Sequence, residues 1–307
     1  MKDTILFGDC RETLKEFDEK ARCCVTSPPY YGLRDYGGED SQIGQEQSPE
    51  EYIEEIVNVF RLVRDCLTDD GTLWLNIGDS YYNYRKDGCI PKQTFSANRQ
   101  DLPVTTPRRS NKLKGYKEKD LIGIPWMLAF ALRADGWYLR QDIIWHKPNP
   151  MPESVRDRCT KSHEYIFLLS KNKNYYYDND AIKEPAKDWG TRDRSNGKYH
   201  NEGSGLTPHS GLTKSYSKRN KRSVWSINKK PYKGAHFATY PEELITPCIK
   251  AGSDKGDIIL DPFMGSGTTA VVAKDLGRYY IGCELHDDYG ELIKKRLGLY
   301  ASLRTVT

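Results

Sequence analysis

Residues 257–284 read DIILDPFMGSGTTAVVAKDLGRYYIGCE, and this stretch decides the fold. DIILD (257–261) is a short apolar run of the kind that forms a buried strand. Gly265-Ser266-Gly267 breaks it. TTAVVAKDL (268–276) then reads as a helix, and YYIGCE (279–284) reads as a second strand ending in Glu284. The result is a βαβ unit built for a nucleotide-like ligand. Its glycines let backbone approach the ligand closely, and the helix N-terminus offers free N–H groups. An acid closing the second strand can accept from ribose hydroxyls.

The pattern Gly265-x-Gly267-x-x-Ala270 fits a nicotinamide dinucleotide as well as S-adenosylmethionine. No Gly-Lys-Ser/Thr follows, which argues against a triphosphate P-loop. Asp261-Pro262-Phe263 stands directly before the glycines. A carboxylate there could meet a cationic amino acid moiety, which adenosylmethionine has and NAD lacks.

Working outward, TILFG (4–8) and CCVT (23–26) read as strands around a helix starting near Arg11. Ser48-Pro49-Glu50-Glu51 supplies an N-cap, a first-turn proline and a capping-box glutamate. Ile53, Ile56, Val57, Phe60, Val63 and Leu67 follow at helical spacing. TLWLNIG (72–78), YLRQDIIW (138–145) and YIFLLS (165–170) read as strands. Residues 119–134 and DDYGELIKKRL (287–297) read as helices. Strands alternating with helices predict an α/β fold: a mainly parallel twisted sheet with helices on both faces, Rossmann-like.

Two stretches interrupt this alternation. Residues 85–118 and 186–233 are polar and irregular. Leu102 to Lys117 contains no acid and carries Arg108 and Arg109. Gly203 to Pro241 also contains no acid, and carries Lys218, Arg219, Lys221 and Arg222 among aromatic residues. A chain of formal net charge only +4 has therefore concentrated its positive charge in two insertions. Basic segments with aromatics suit phosphates and unstacked bases.

The 8 cysteines form no C-x-x-C pair and no zinc spacing, as expected of free thiols in a reducing compartment. No apolar stretch reaches the roughly 20 residues that a bilayer demands. MKDTILFGDC lacks a signal-like run. The expectation is a cytoplasmic protein associated with the nucleoid.

VTSPPYYGLRDYG (25–37) is the second decisive stretch. TSPPY followed downstream by DPFMGSGTT resembles the amino-group DNA methyltransferases of the β arrangement, in which the catalytic motif precedes the cofactor motif. GDC (8–10), TLWLNIGD (72–79), HEYIFLLSK (163–171) and HFATYPEEL (236–244) extend the resemblance over most of the chain.

The resemblance implies S-adenosylmethionine as cofactor and double-stranded DNA as partner. It places Gly265, Gly267, Thr268 and Phe263 around the cofactor, with Asp261 at its methionine end and Glu284 on its ribose. Asp9 and Cys10 border the adenine ring, with the Asp9 carboxylate accepting from its amino group, and His236 to Thr239 close the site. Asp9 as a plain cap for the helix at Arg11 is the alternative.

Ser27, Pro28, Pro29 and Tyr30 become the catalytic motif. The Ser27 oxygen and the Pro28 carbonyl accept from an exocyclic amino group, and the two prolines hold that carbonyl rigid. Tyr30 stacks on a base flipped from the duplex. Serine at the first position is associated in the family with cytosine N4, and aspartate or asparagine mainly with adenine N6.

The expected organisation is a catalytic domain formed by 1–84, 119–185 and 234–307. It is interrupted by a basic insertion at 85–118 and a target-recognition region at 186–233. A cognate restriction endonuclease is an expected partner; monomer and homodimer both remain open. The rival readings are an NAD-dependent oxidoreductase, a methyltransferase for RNA or protein, and a catalytically silent DNA-binding protein.

Overall fold

The computed structural model describes residues 1–32, 42–82, 113–186, 217–229, 240–298 and 302–305. In chain order the elements are β1 (Thr4–Phe7), α1 (Cys10–Thr13), β2 (Ala21–Thr26), α2 (Pro49–Cys66) and β3 (Leu67–Ile77). Next come α3 (Ile124–Ala134), β4 (Tyr138–His146), β5 (His163–Ser170), β6 (Glu184–Pro185), β7 (Lys218–Arg219) and β8 (Val224–Ser226). The chain then forms α4 (Glu242–Gly252), β9 (Ile258–Asp261), α5 (Thr268–Asp275), β10 (Tyr279–Glu284), α6 (Tyr289–Leu297) and β11 (Ser302–Thr305).

Nine strands form one sheet in the order β11-β1-β10-β9-β2-β3-β5-β4-β8. Every neighbouring pair is parallel except the two made by β5. The central seam is β2 beside β9, with Cys23 opposite Ile259 and Cys24 opposite Leu260. Chain segments more than two hundred residues apart thus become neighbours, and the TSPPY and DPFMGSG turns leave the same edge of the sheet. In an open α/β sheet that edge, beyond the strands' carboxyl ends, is where ligands bind.

Alternation along the strands divides the core. Cys24, Leu73, Leu75 and Phe167 face α2 and α3. Cys23, Val25, Trp74 and Leu168 face α4, α5 and α6. Both faces are covered, as a mostly parallel sheet demands. In α2, Ile53, Ile56, Val57, Phe60 and Val63 are all buried. Ser48 caps the helix by accepting from the Glu51 N–H at 3.2 Å, while Glu51 reaches back to the Gln47 N–H at 3.0 Å.

Three local expectations change. The helix expected over 119–134 begins only at Ile124: Gly123 at φ 87° is its N-cap and Pro125 sits in the first turn. The helix near Arg11 is a single turn. Most consequentially, the basic stretch at 186–233 is not wholly an insertion. Of its described residues, 186 and 217–229, the latter contribute β8, which pairs with β4 and buries Trp225. That apolar indole outweighs the polar composition around it, and its Nε1 donates to the Arg222 carbonyl at 2.7 Å.

Candidate active site

The glycine turn sits where β9 ends. Gly265 and Gly267 adopt φ 52° and 79°, a region that disfavours side chains, and a Cβ on Gly265 would meet only the Phe263 carbonyl, at 3.9 Å. Open space therefore lies beside Gly265, while the Gly267 N–H is bonded to the Met264 carbonyl at 3.0 Å. The turn is braced from behind: Arg296 Nη1 donates to the Ser266 carbonyl at 2.9 Å, to Ser266 Oγ at 2.8 Å and to Thr268 Oγ1 at 2.9 Å. The Thr268 hydroxyl is thus tied into the protein, and the residue is buried. Phe263 is half-buried against the core.

Asp261 is 1% exposed. Its Oδ1 accepts from Thr26 Oγ1 at 2.6 Å and from the Phe263 N–H at 3.0 Å; its Oδ2 accepts from Thr269 Oγ1 at 2.5 Å and from Tyr240 OH at 3.1 Å. Burial pushes its carboxyl above the usual range, and these donors oppose that. Asp261 is a strut joining the residue before Ser27, the base of α5 and Tyr240.

Glu284 ends β10 and is 8% exposed. Its Oε2 accepts from the Gly265 N–H at 2.7 Å, and its Oε1 accepts from the His286 N–H at 3.0 Å. Burial raises its carboxyl to about 7. Asp9 lies alongside, since Phe7 is in register with Glu284. Its carboxylate caps α1 through the Arg11 N–H at 2.8 Å and pairs with the Arg11 guanidinium at 2.6 Å, and Arg11 also pairs with Glu55 at 2.7 Å. The capping alternative thus describes Asp9 better than an open acceptor for adenine. Cys10 is buried beside it, its thiol pushed up to about 12 by desolvation. His236 and Thr239 lie outside the described residues, as do Arg108 and Arg109.

Ser27 to Tyr30 continue directly from β2 and the strut at Thr26. Tyr52 OH donates to the Pro29 carbonyl at 2.8 Å, fixing the motif from α2. Among the described residues no hydrogen bond ends on the Pro28 carbonyl. The Tyr30 ring packs against Gly78 just after β3, where a Cβ would come within 2.6 Å of its Cε2. Its hydroxyl donates to Glu164 Oε2 at 2.8 Å and lies 3.3 Å from Asn76 Oδ1. Lys147 in turn bonds Glu164. Desolvation and the Glu164 charge push the Tyr30 phenol well above its ordinary range, and a hydrogen bond with Ser27 opposes this. Burial pulls the Lys147 ammonium down.

Asn76, Glu164, Lys147, Tyr52 and Tyr240 were given no role by the sequence reading. Asn76, Glu164 and Tyr240 do lie inside blocks that carried the family resemblance, which is the signal that could have found them.

Of the expected DNA contacts, Arg219 and Arg222 both pair with Glu184 Oε1, at 2.9 and 2.7 Å. Lys221 lies over the Trp225 ring at 4.9 Å. Lys218 is exposed on β7. All four precede β8, which runs parallel to β4, so they enter the sheet from the end away from the catalytic motif. Lys229, by contrast, follows β8 on the catalytic side. A reciprocal pair with Asn149 holds it there, at 2.9 and 3.0 Å.

A glycine turn heading a helix, an acid closing the next strand and a Ser-Pro-Pro-Tyr turn across the seam define an S-adenosylmethionine-dependent methyltransferase. Comparison with known proteins gives the family. The model described as DNA methylase, covering N6 and N4 methyltransferases, matches residues 21–295, and the chain belongs to this family of amino-group DNA methyltransferases. It is 48% identical over 294 residues to the Type II methyltransferase M.SmaI of Serratia marcescens, covering 95% of this chain and 90% of that protein. It is 46% identical over 295 residues to M.XycI of Xanthomonas campestris pv. cyanopsidis, covering 96% and 87%.

Among solved structures, the fold matches the cytosine-N4-specific PvuII DNA methyltransferase with a TM-score of 0.62 at 18% identity, over 96% of this chain and 86% of that one. It also matches a putative DNA modification methylase of Thermus thermophilus, complexed with S-adenosyl-L-methionine, with a TM-score of 0.59 at 23% identity, over 99% and 97%. The cofactor is S-adenosylmethionine and the substrate is DNA. Among the described residues no helix is long and apolar enough to cross a membrane.

Proposed function

We propose that the protein methylates cytosine N4 at a specific site in duplex DNA, in the cytoplasm and as the protective partner of a restriction endonuclease. The observation that supports the reading is the Thr26–Asp261 bond, which ties the residue before Ser27 to the strand end that leads into the glycine turn. The Type II relatives, matched over nearly their whole length, support the pairing with an endonuclease.

The residues present fit the cofactor. Gly265 leaves open space at a helix N-terminus, and Glu284 presents a carboxylate across from it. Glu284 would hold the ribose hydroxyls, the Gly265–Gly267 backbone would line the methionine side, and Asp9 and Cys10 would border the adenine. Bound there, the cofactor supplies an electrophilic methyl group.

The chain's own task is to prepare the amine. An exocyclic amino nitrogen is a poor nucleophile because its lone pair is delocalised into the ring. Ser27 Oγ and the Pro28 carbonyl accept its two hydrogens in a tetrahedral arrangement, which frees the lone pair and stabilises the positive charge developing on nitrogen. Pro28 and Pro29 keep that carbonyl aimed, and Tyr52 holds the next one away. Tyr30 offers its ring face to the flipped base, offsetting part of the few kcal/mol that flipping costs. A neutral hydroxyl at position 27, rather than a carboxylate, favours cytosine.

Lys218, Arg219, Lys221 and Arg222 serve the phosphate backbone, with Arg108 and Arg109 assisting. The test of the reaction is nucleoside mass spectrometry of DNA from cells expressing the protein. N4-methylcytosine is expected; N6-methyladenine alone would reject the choice of base, and no methylated base would reject the reaction.

A further inference from the structure

The Tyr30 hydroxyl does not end in solvent. It donates to Glu164 Oε2 at 2.8 Å across a sequence separation of 134 residues. The other carboxylate oxygen of Glu164 is bonded by Lys147, whose side chain is 10% exposed. The Lys147 ammonium lies 4.2 Å from the Trp145 ring centre, and its backbone N–H donates to the Ser162 carbonyl at 2.7 Å. Asn76 closes the group, donating to the Tyr165 carbonyl at 3.0 Å.

A largely buried ion pair is seldom retained for stability, because desolvation offsets most of its Coulombic gain. This pair stands at the catalytic end of β4 and β5, and its Oε2 takes the phenol of the catalytic motif together with Asn76 Nδ2 at 3.5 Å. The missing side chain of Gly78 lets the Cε2 side of the Tyr30 ring pack closely there. Contact on one side alone leaves the ring free to shift; a bonded hydroxyl stops that movement.

We infer that Glu164, clamped by Lys147, is the positioning residue that locks Tyr30 in place for the target base; the inference rests on the methyl-transfer reading of this site. The anchor works on ring placement, hence on the transfer step and not on cofactor binding.

The experiment is single-turnover transfer of tritiated methyl from S-adenosylmethionine to unmethylated plasmid DNA. It compares the wild type with Tyr30→Phe, Glu164→Ala, Glu164→Gln and the double variant Tyr30→Phe/Glu164→Ala, with cofactor affinity measured by calorimetry. Glu164→Ala should slow transfer about ten- to a hundredfold, the scale of a misplaced reactant, while the cofactor Kd stays within about twofold. Glu164→Gln keeps an oxygen for Tyr30 and should recover most of the rate. The double variant should be no slower than the worse single one, because both changes cut the same bond.

Losses that multiply in the double variant, or wild-type speed in Glu164→Ala, overturn the inference. Should Glu164→Ala not fold, Tyr30→Phe and Glu164→Gln decide: the first must be the slower, and the reverse order overturns it. A wild-type protein that transfers no methyl to DNA overturns the parent reading instead, which keeps the two failures distinct.

Discussion

The two halves of the sheet build their share of the site by different means. The cofactor half, β1, β10, β9 and α5, works mainly with backbone: two left-handed glycines, a helix terminus and one strand-end acid. The base half, β3, β5 and β4, works with side chains, chaining Tyr30, Glu164, Lys147 and Asn76 across three strands. Backbone sites are written in a short run of sequence and resist most side-chain changes. Side-chain sites are assembled from distant positions and fail one residue at a time. Asp261 is the joint between them.

Breaking that joint should have the largest effect. Asp261→Ala strands Thr26, Thr269, Tyr240 and the Phe263 N–H without their buried acceptor. It should cost about 3 kcal/mol or more of stability, seen in denaturant unfolding, and abolish cofactor binding.

A change confined to the base half should separate the two. In Gly78→Ala the new Cβ would stand 2.6 Å from Tyr30. Methyl transfer should fall about tenfold or more, while calorimetry shows unchanged cofactor affinity. A parallel loss of cofactor affinity would mean that the halves are not separable.

The cofactor half has its own signature in pH. Burial lifts Glu284 to about 7 from an ordinary 4.5. Between those values the folded protein holds a proton that the unfolded chain has lost, so this group's contribution to stability falls as pH rises through that window. Cofactor affinity runs the other way, because the ionised carboxylate is the better acceptor for ribose hydroxyls. The affinity should rise as pH increases through about 7, by up to about tenfold per pH unit below that value, and Glu284→Gln should flatten the profile.

The smallest effect is expected outside both halves. Neutralising Lys218, Arg219, Lys221 and Arg222 together should weaken DNA binding and shallow its salt dependence. The slope should change by less than four charges' worth, since Glu184 already partners two of them. Binding unchanged at every salt concentration removes this segment from the DNA interface.

The same contrast explains what the sequence disclosed. The βαβ unit at 257–284 and the capped helix at 49–66 are local patterns, and both are legible from spacing alone. TSPPY announced itself by composition. The Asp261 strut was not legible, because the identity of an acid does not say whether it faces a ligand or three hydroxyls. Glu164 and Lys147 lie just outside the strands read from spacing; only the register of β5 against β3 and β4 brings them to Tyr30. β8 was missed because three residues of strand carry almost no periodicity, and the neighbouring charges suggested solvent.

Trp225 gives the basic segment a fixed point. Its buried indole, together with the pairing of Val224–Ser226 against Ile144–His146, holds β8 at the edge of the sheet. The exposed charges of 217–222 can change without touching that anchor, so the charge carried there is separable from the packing of the sheet.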